Sequence, residues 1–305
     1  MAIHEFILIS DYDGLEIGCL LSSPDGEVRA VLQISHGMCG CKERYIPFVR
    51  YMASKGVVCV VNDHRGHGDS VRSSDDYGYM YEGGYSALVS DMNQLTSYAR
   101  SLFPDVPFFL LGHSMGSLAA ILYAGRWSEN LSGLILCGIP YYMSPVKASS
   151  LMMRCLCALG GERMKMPYIQ RLSSHIMNRR FRNEGEQAWV CSDPDVRNDF
   201  MNNSKCNFSF TANGFHNLMS MLSKAYSPDI WKGIDSRFPV LMLSGADDPC
   251  TSYGKSLQMM SDRMRKAGLK DIGTEIFPEM RHELLNERGK ELVWEKICMF
   301  IRIFF

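Results

Sequence analysis

Residues 110–120, "LLGHSMGSLAA", place an apolar run directly before Gly112-His113-Ser114-Met115-Gly116 and a run of small residues directly after it. The preceding "PFFLLG" (107–112) reads as a buried strand. Ser117, Ala119 and Ala120 open a helix with a small-residue face. Gly-x-Ser-x-Gly at a strand-to-helix junction describes a sharp turn that lifts a serine hydroxyl clear of a sheet. Gly112 and Gly116 must be small there, because strand and helix approach closely. The plain alternative is a serine in an ordinary tight turn. The strand before it and the helix after it favour Ser114 as a nucleophile.

Outward from this turn, strands and helices alternate. "HEFILI" and "LEIGCLL" form a strand pair around the turn residues 11–14. "AVLQIS" (30–35) and the β-branched "VVCVVN" (57–62) read as buried parallel strands. Between them "YIPFVRYMASKG" (45–56) has helical periodicity and ends on Gly56. A helix over about 85–102 precedes "PFFLLG", and strand "GLILCG" (133–138) follows the serine helix. This repeated β-α-β pattern predicts an α/β fold with a parallel sheet covered on both faces. The rhythm stops at Pro140. Residues 141–235 are Met-rich and helical without a clear strand, punctuated by Pro145, Pro167 and Pro194. It resumes with strand "FPVLMLSG" (238–245), helix "GKSLQMMSDRMRKAG" (254–268), strand "IGTEIFP" (272–278) and the last helix, 290–305. The expected organisation is a core of residues 1–140 and 236–305 with a helical insertion, 141–235.

Bulk properties narrow the classes. The chain has 305 residues, 46% hydrophobic and 21% charged, with a net charge of −1. That suits one globular domain with an insertion, and nothing in it asks for nucleic acid. Eleven scattered cysteines do not make a secreted disulfide framework, so a reducing, cytoplasmic compartment is expected. Cys39/Cys41 and Cys155/Cys157 are C-x-C pairs without the partners a zinc site needs. The N-terminal apolar run is cut by Asp11 and Asp13, and no stretch approaches the ~20 apolar residues of a membrane span.

A serine nucleophile needs a base, and the base needs an orienting acid. Asp247 and Asp248 lie just past the strand "VLMLSG", and His282 lies just past "TEIFP". Both positions are beyond strand carboxyl ends, where open parallel sheets bind ligands. Adjacent residues on a turn point in different directions, and from the residues alone either aspartate can face the base. An oxyanion hole needs backbone N–H groups. Met115, after the nucleophile, is one expected donor. Met38, in the loop "SHGMCG" (35–40) where Gly37 lets the backbone turn, is the other. "DHRGHGDS" invites a metal set of Asp63, His64, His67 and Asp69. A structural loop with tight glycine turns is the preferred account. His113 reads as a packed turn residue rather than a second base.

Taken in order, "HGM…RYIPF", "NDHRGHGDS", "GHSMGS", "SGADDP" and "RHELLNE" closely resemble the monoacylglycerol lipase and lysophospholipase-like branch of the α/β-hydrolases, a group also described as serine aminopeptidase S33-like. The resemblance spans essentially the whole chain, and "NFSFTANGFHNL" (207–218) looks like bacterial members. It implies the α/β-hydrolase fold, Ser114 as nucleophile, His282 as base and Asp248 rather than Asp247 as acid. It also agrees with Met38 and Met115 as donors. One departure stands out: the loop after His36-Gly37 has Gly40 and Cys41 where the family usually carries an acidic residue and a histidine.

An insertion between the strand that follows the serine helix and the strand that carries the acid is expected to act as a cap that shapes an acyl pocket. Met143, Met152, Met153, Met164 and Met166 suit an adaptable groove, or the cap's own packing. Arg179, Arg180 and Arg182 suit an anionic head group, or a solvated face. The expected activity is ester hydrolysis of monoacyl lipids with no metal or organic cofactor, a small-molecule partner and transient membrane-surface contact through the cap. Alternatives are an S33-type aminopeptidase, a thioesterase, and a non-catalytic binding protein on the same fold.

Overall fold

The computed structural model describes residues 1–143 and 146–305, with the side chains of 146–149 and of Gly160 left aside. Pro145, read above as punctuating the insertion, lies outside the described residues. Eight strands form one sheet: β1 (Ala2–Ile9), β2 (Glu16–Ser23), β3 (Ala30–Ser35), β4 (Val57–Asn62), β5 (Phe108–His113), β6 (Gly133–Cys137), β7 (Val240–Gly245) and β8 (Ile272–Phe277). Their spatial order is β1-β2-β4-β3-β5-β6-β7-β8. β2 runs antiparallel to β1 and β4, and every later pairing is parallel. The expected strand pair and the expected parallel sheet are therefore both present.

Alternation along the central strands builds two cores. Val31, Val58, Val60, Phe108, Leu110, Leu134 and Leu136 point to one face. Leu32, Ile34, Cys59, Val61, Phe109, Leu111 and Ile135 point to the other. On the first face lie α2 (Gly84–Leu102), α3 (Met115–Trp127) and α8 (Lys255–Lys266); on the second lie α1 (Ile46–Ser54) and α9 (Lys290–Arg302). Both faces of the central strands are buried, which is why these strands read as continuous apolar runs.

Between β6 and β7 come α4 (Val146–Leu156), α5 (Pro167–Met177), α6 (Pro194–Asn202) and α7 (Ala212–Ala225). No strand occurs there among the described residues. α7 is capped by Thr211, whose hydroxyl accepts from the Gly214 N–H at 3.1 Å. Its Phe215, Met221, Leu222 and Ala225 belong to the same apolar cluster as α3 and the sheet. The inserted methionines divide. Met153 is buried and Met166 packs inward, whereas Met143, Met152 and Met164 are exposed.

The loop after β4 is tied down by charge. Asp63 accepts the Lys42 amide at 2.7 Å, the Asp69 amide at 2.9 Å and the Lys42 ammonium at 3.1 Å. Lys42 also pairs with Asp69, and both Lys42 and Asp63 are buried. Gly68 is obligatory, since a Cβ there would lie 2.1 Å from the Asp63 carboxyl carbon. Removing one partner of a buried pair leaves the other charge unpaired, at about 3–5 kcal/mol. Lys42→Met is accordingly expected to lower unfolding stability by about that amount in a urea titration. A loss under about 1 kcal/mol would show that the pair does not hold the loop.

Candidate active site

Ser114 sits between β5 and α3 with φ 54° and ψ −120°, a region that non-glycine residues avoid. Three glycines make the turn sterically feasible. A Cβ on Gly116 would lie 2.0 Å from the Ser35 carbonyl oxygen, and one on Gly112 would lie 2.4 Å from that of Gly116. One on Gly37 would press the Ser114 Cβ at 3.2 Å. The Ser114 N–H donates to the Cys137 carbonyl at 2.9 Å, which pins the turn to β6.

The Ser114 hydroxyl meets His282 Nε2 at 2.8 Å, and His282 Nδ1 meets Asp248 Oδ2 at 2.8 Å. The loops that bring them together are themselves joined. A Cβ on Gly245 would lie 2.2 Å from the Met280 carbonyl oxygen, and the Asp247 N–H donates to that oxygen at 3.0 Å. Asp248 is fully buried, and its other oxygen accepts the Cys250 amide at 2.8 Å. The adjacent aspartates diverge as turn geometry requires. Asp248 faces His282, whereas Asp247 pairs with Arg180 from the insertion at 2.8 Å. That pairing accounts for Arg180, one of the three arginines expected to greet an anion or solvent.

Met115 is the first residue of α3, where backbone amides lack intrahelical acceptors. Met38 lies in the loop after β3. Neither amide has an acceptor among the described residues. The loop is braced by His36. Its Nε2 accepts the His64 N–H at 2.9 Å, so its Nδ1 carries the proton donated to the Gly37 carbonyl at 2.8 Å. Burial, reinforced by the neighbouring His64 and His67, holds His36 well below the usual histidine value.

The electrostatics separate the histidines. Burial depresses His113 to about 4, so its ring is neutral, and its Nε2–H donates to the His282 carbonyl at 3.0 Å. His113 therefore supports the loop, as expected of a packed turn residue. For His282, burial opposes the charged form, but the Asp248 carboxylate at hydrogen-bonding distance outweighs it and raises the value.

The residues weighed as a metal set enter separate bonds. His64 Nε2 bonds Ser35 at 2.8 Å, Asp63 holds Lys42, and His67 packs edge-on against Phe208 and Phe210. Among the described residues, two groups bring three ligand-type atoms within 4.8 Å of one another: Asp248, Cys250 and His282, and Glu5, Glu43 and Asp69. The first is already committed to the Asp248–His282 bond. In the second, Lys42 and Lys205 neutralise Glu43 and Asp69.

Sequence reading missed Trp189. Its ring centroid lies 5.2 Å from that of His282 at 36°. Its Nε1–H donates to Gln187 at 2.9 Å and to Ser174 at 3.1 Å. No periodicity or motif marks this part of the insertion. Glu283 and Glu287 also bind the loop that carries His282 to its surroundings. Glu283 pairs with Arg44, while Glu287 accepts from Ser192 and from the Arg281 amide.

Comparison with known proteins places this geometry. The family described as "Serine aminopeptidase, S33" matches residues 26–289, and the chain belongs to it. The monoglyceride lipase of Mus musculus is 29% identical over 85% of this chain and 78% of its own. The monoacylglycerol lipase of Mycolicibacterium smegmatis is 23% identical over 92% and 90%. A thermostable carboxyl esterase from Bacillus coagulans, solved in complex with glycerol, superposes with a TM-score of 0.92 at 26% identity, covering 100% of this chain and 99% of that one. The chain is an α/β-hydrolase, and within that class a serine ester hydrolase.

The environments above set how the histidines titrate. In an NMR titration, His282 is expected to change charge above the ordinary value of about 6.5, and His113 near 4. Asp248→Asn leaves burial opposed only by the more distant Glu283 charge and lowers the His282 midpoint. An unmoved midpoint would mean that the carboxylate does not govern the imidazole.

Proposed function

We propose that Ser114, His282 and Asp248 form a catalytic triad that hydrolyses carboxylic esters of monoacyl lipids through an acyl-enzyme. The observation that carries this reading is the unbroken hydrogen-bond chain from the Ser114 hydroxyl through His282 to buried Asp248, at 2.8 Å per link. In the mechanism, His282 Nε2 takes the hydroxyl proton as Ser114 Oγ attacks the ester carbonyl. Asp248 fixes the Nδ1–H tautomer and stabilises the imidazolium. In this reading the Met38 and Met115 amides donate to the oxyanion, which their lack of acceptors among the described residues supports. His282 then protonates the leaving alcohol. A water deprotonated by the same nitrogen attacks the acyl-enzyme and releases the acid.

The lipid part of the reading rests on the relatives, which are lipases of monoacylglycerols by name, and on the insertion. Residues 141–235 act in this reading as a cap over the site, held close by Trp189 and Arg180. Several large apolar side chains among its described residues are exposed. Tyr168, Leu172 and Ile176 follow one another at four-residue spacing on α5 and are exposed, as are Leu151, Met152 and Leu159. Arg171 on α5 and Arg179 just after it are also exposed. This pattern suits transient contact with a lipid surface. No helix among the described residues is long and apolar enough to cross a membrane.

A hydrolysis profile over p-nitrophenyl esters from C2 to C16, monoacylglycerols, lysophosphatidylcholine and aminoacyl anilides tests the assignment. The expected result is a preference for medium or long acyl chains, with Ser114→Ala reducing kcat by roughly 10³-fold or more. Cleavage of anilides alone, or of C2 esters alone, would remove the lipid assignment. Leu172→Asp is expected to slow hydrolysis of monoacylglycerol presented in vesicles several-fold while sparing a soluble short ester. Equal effects on both would remove the surface-contact role.

A further inference from the structure

Two buried thiols, Cys41 and Cys206, stand 3.6 Å apart where the loop after β3 meets the insertion. They are 165 residues apart in the chain, and Cys41 follows Met38 by three residues. The segments around them are pinned together. Lys205 reaches Glu43 at 2.8 Å and Asp69 at 2.6 Å. The Arg44 guanidinium lies 5.0 Å from the centre of the Phe200 ring. The Cys39 thiol donates to the Phe208 carbonyl at 3.4 Å. A disulfide needs its sulfurs about 2.05 Å apart, so the pair must close by about 1.5 Å between segments already held face to face.

These two thiols differ from the cysteines of the central core. Burial pushes Cys19 and Cys137 up to about 12, where they are inert. Cys206 goes the other way. The hydrogen bond between the two thiols, which either sulfur can donate, outweighs burial here, with Arg44 adding attraction. Cys41 is correspondingly pushed up, first by the same contact and then by burial. At 3.6 Å one sulfur of the pair can carry charge while its neighbour carries the proton, which is what an attacking and a resolving thiol require.

We propose that Cys41 and Cys206 are a modification site: a hydroperoxide converts them into a reversible disulfide that tethers the insertion to the loop carrying Met38. In the first step the Cys206 thiolate attacks one peroxide oxygen. The O–O bond breaks, Cys206 becomes a sulfenic acid, and the hydroxide that leaves takes up the proton Cys206 gave up on forming the thiolate, giving the first water. In the second, Cys41 sulfur attacks the Cys206 sulfur, the S–O bond breaks and water leaves with the Cys41 proton. The net change is two thiols and one hydrogen peroxide to one disulfide and two waters. Sulfur is oxidised and peroxide oxygen reduced. Because both thiols are buried, the oxidant must be small. A dithiol reductant reverses the link. This site is independent of the catalytic reading, and Ser114→Ala protein forms the same link.

The test uses the full chain, reduced and then exposed to hydrogen peroxide, alkylated and mapped by peptide mass spectrometry. The expected result is a Cys41–Cys206 linked peptide that dithiothreitol abolishes. The thermal midpoint should rise by roughly 5 °C on oxidation, a shift that Cys206→Ala and Cys41→Ala both lack. Recovery of both cysteines as alkylated thiols after exposed Cys155 has been oxidised would overturn the proposal. So would their conversion to sulfinic acids without a link. The mapping is read on the unsubstituted protein, so it stands whether or not either variant folds.

Discussion

The contact on which the structure depends is backbone against backbone. The first turn of α3 rests on the end of β3 so closely that a methyl group on Gly116 would sit 2.0 Å from the Ser35 oxygen. That approach holds Ser114 in a strained positive-φ conformation costing of order 1–3 kcal/mol, which the two buried faces of the sheet must sustain. It also fixes the rest of the site. The strained turn presents the hydroxyl above the carboxyl ends of β5 and β6. The same packing brings the loop after β3, with its Met38 amide, beside the start of α3. His282 and Asp248 then need only arrive from neighbouring strands, and β7 and β8 supply the loops that carry them.

Much of this was legible in the residues. Continuous apolar runs marked the doubly buried strands, and the small residues around Ser114 marked the close approach. The order of serine, aspartate and histidine beyond strand ends located the rest. Asp247 and Asp248 illustrate the limit. Composition and spacing treat them alike, and the distinction depends on a partner, Arg180, that lies 67 positions earlier in the insertion. Trp189 and the His36 brace were illegible for the same reason. Each acts through a contact across distant segments, and no periodicity encodes such a contact. The insertion showed helical composition without revealing that α7 shares the main apolar core.

That shared core bears on how the insertion and the site are related. α7 is packed into the body of the protein, whereas the stretch around residues 180–192 is joined to the His282 loop by polar contacts. Arg281 pairs with Glu184 at 2.6 Å and donates to the Ala188 carbonyl at 2.6 Å. Glu283 donates its amide to Val190 at 2.8 Å, and Glu287 accepts the Ser192 amide at 2.8 Å. The residues flanking His282 are thus satisfied by the insertion, and Trp189 lies against the imidazole itself. The placement of the imidazole and of residues 180–192 is one problem in packing.

The central claim is that Ser114 is activated by the bonds it makes through His282 to Asp248. A fluorophosphonate probe reports this directly, because it phosphonylates a serine only where a base draws off the hydroxyl proton. The account predicts stoichiometric labelling of the native protein, mapped to Ser114, and a rate lower by roughly 10³-fold in His282→Ala. A correctly folded protein that takes up no label, or carries it on a different serine, would contradict the account.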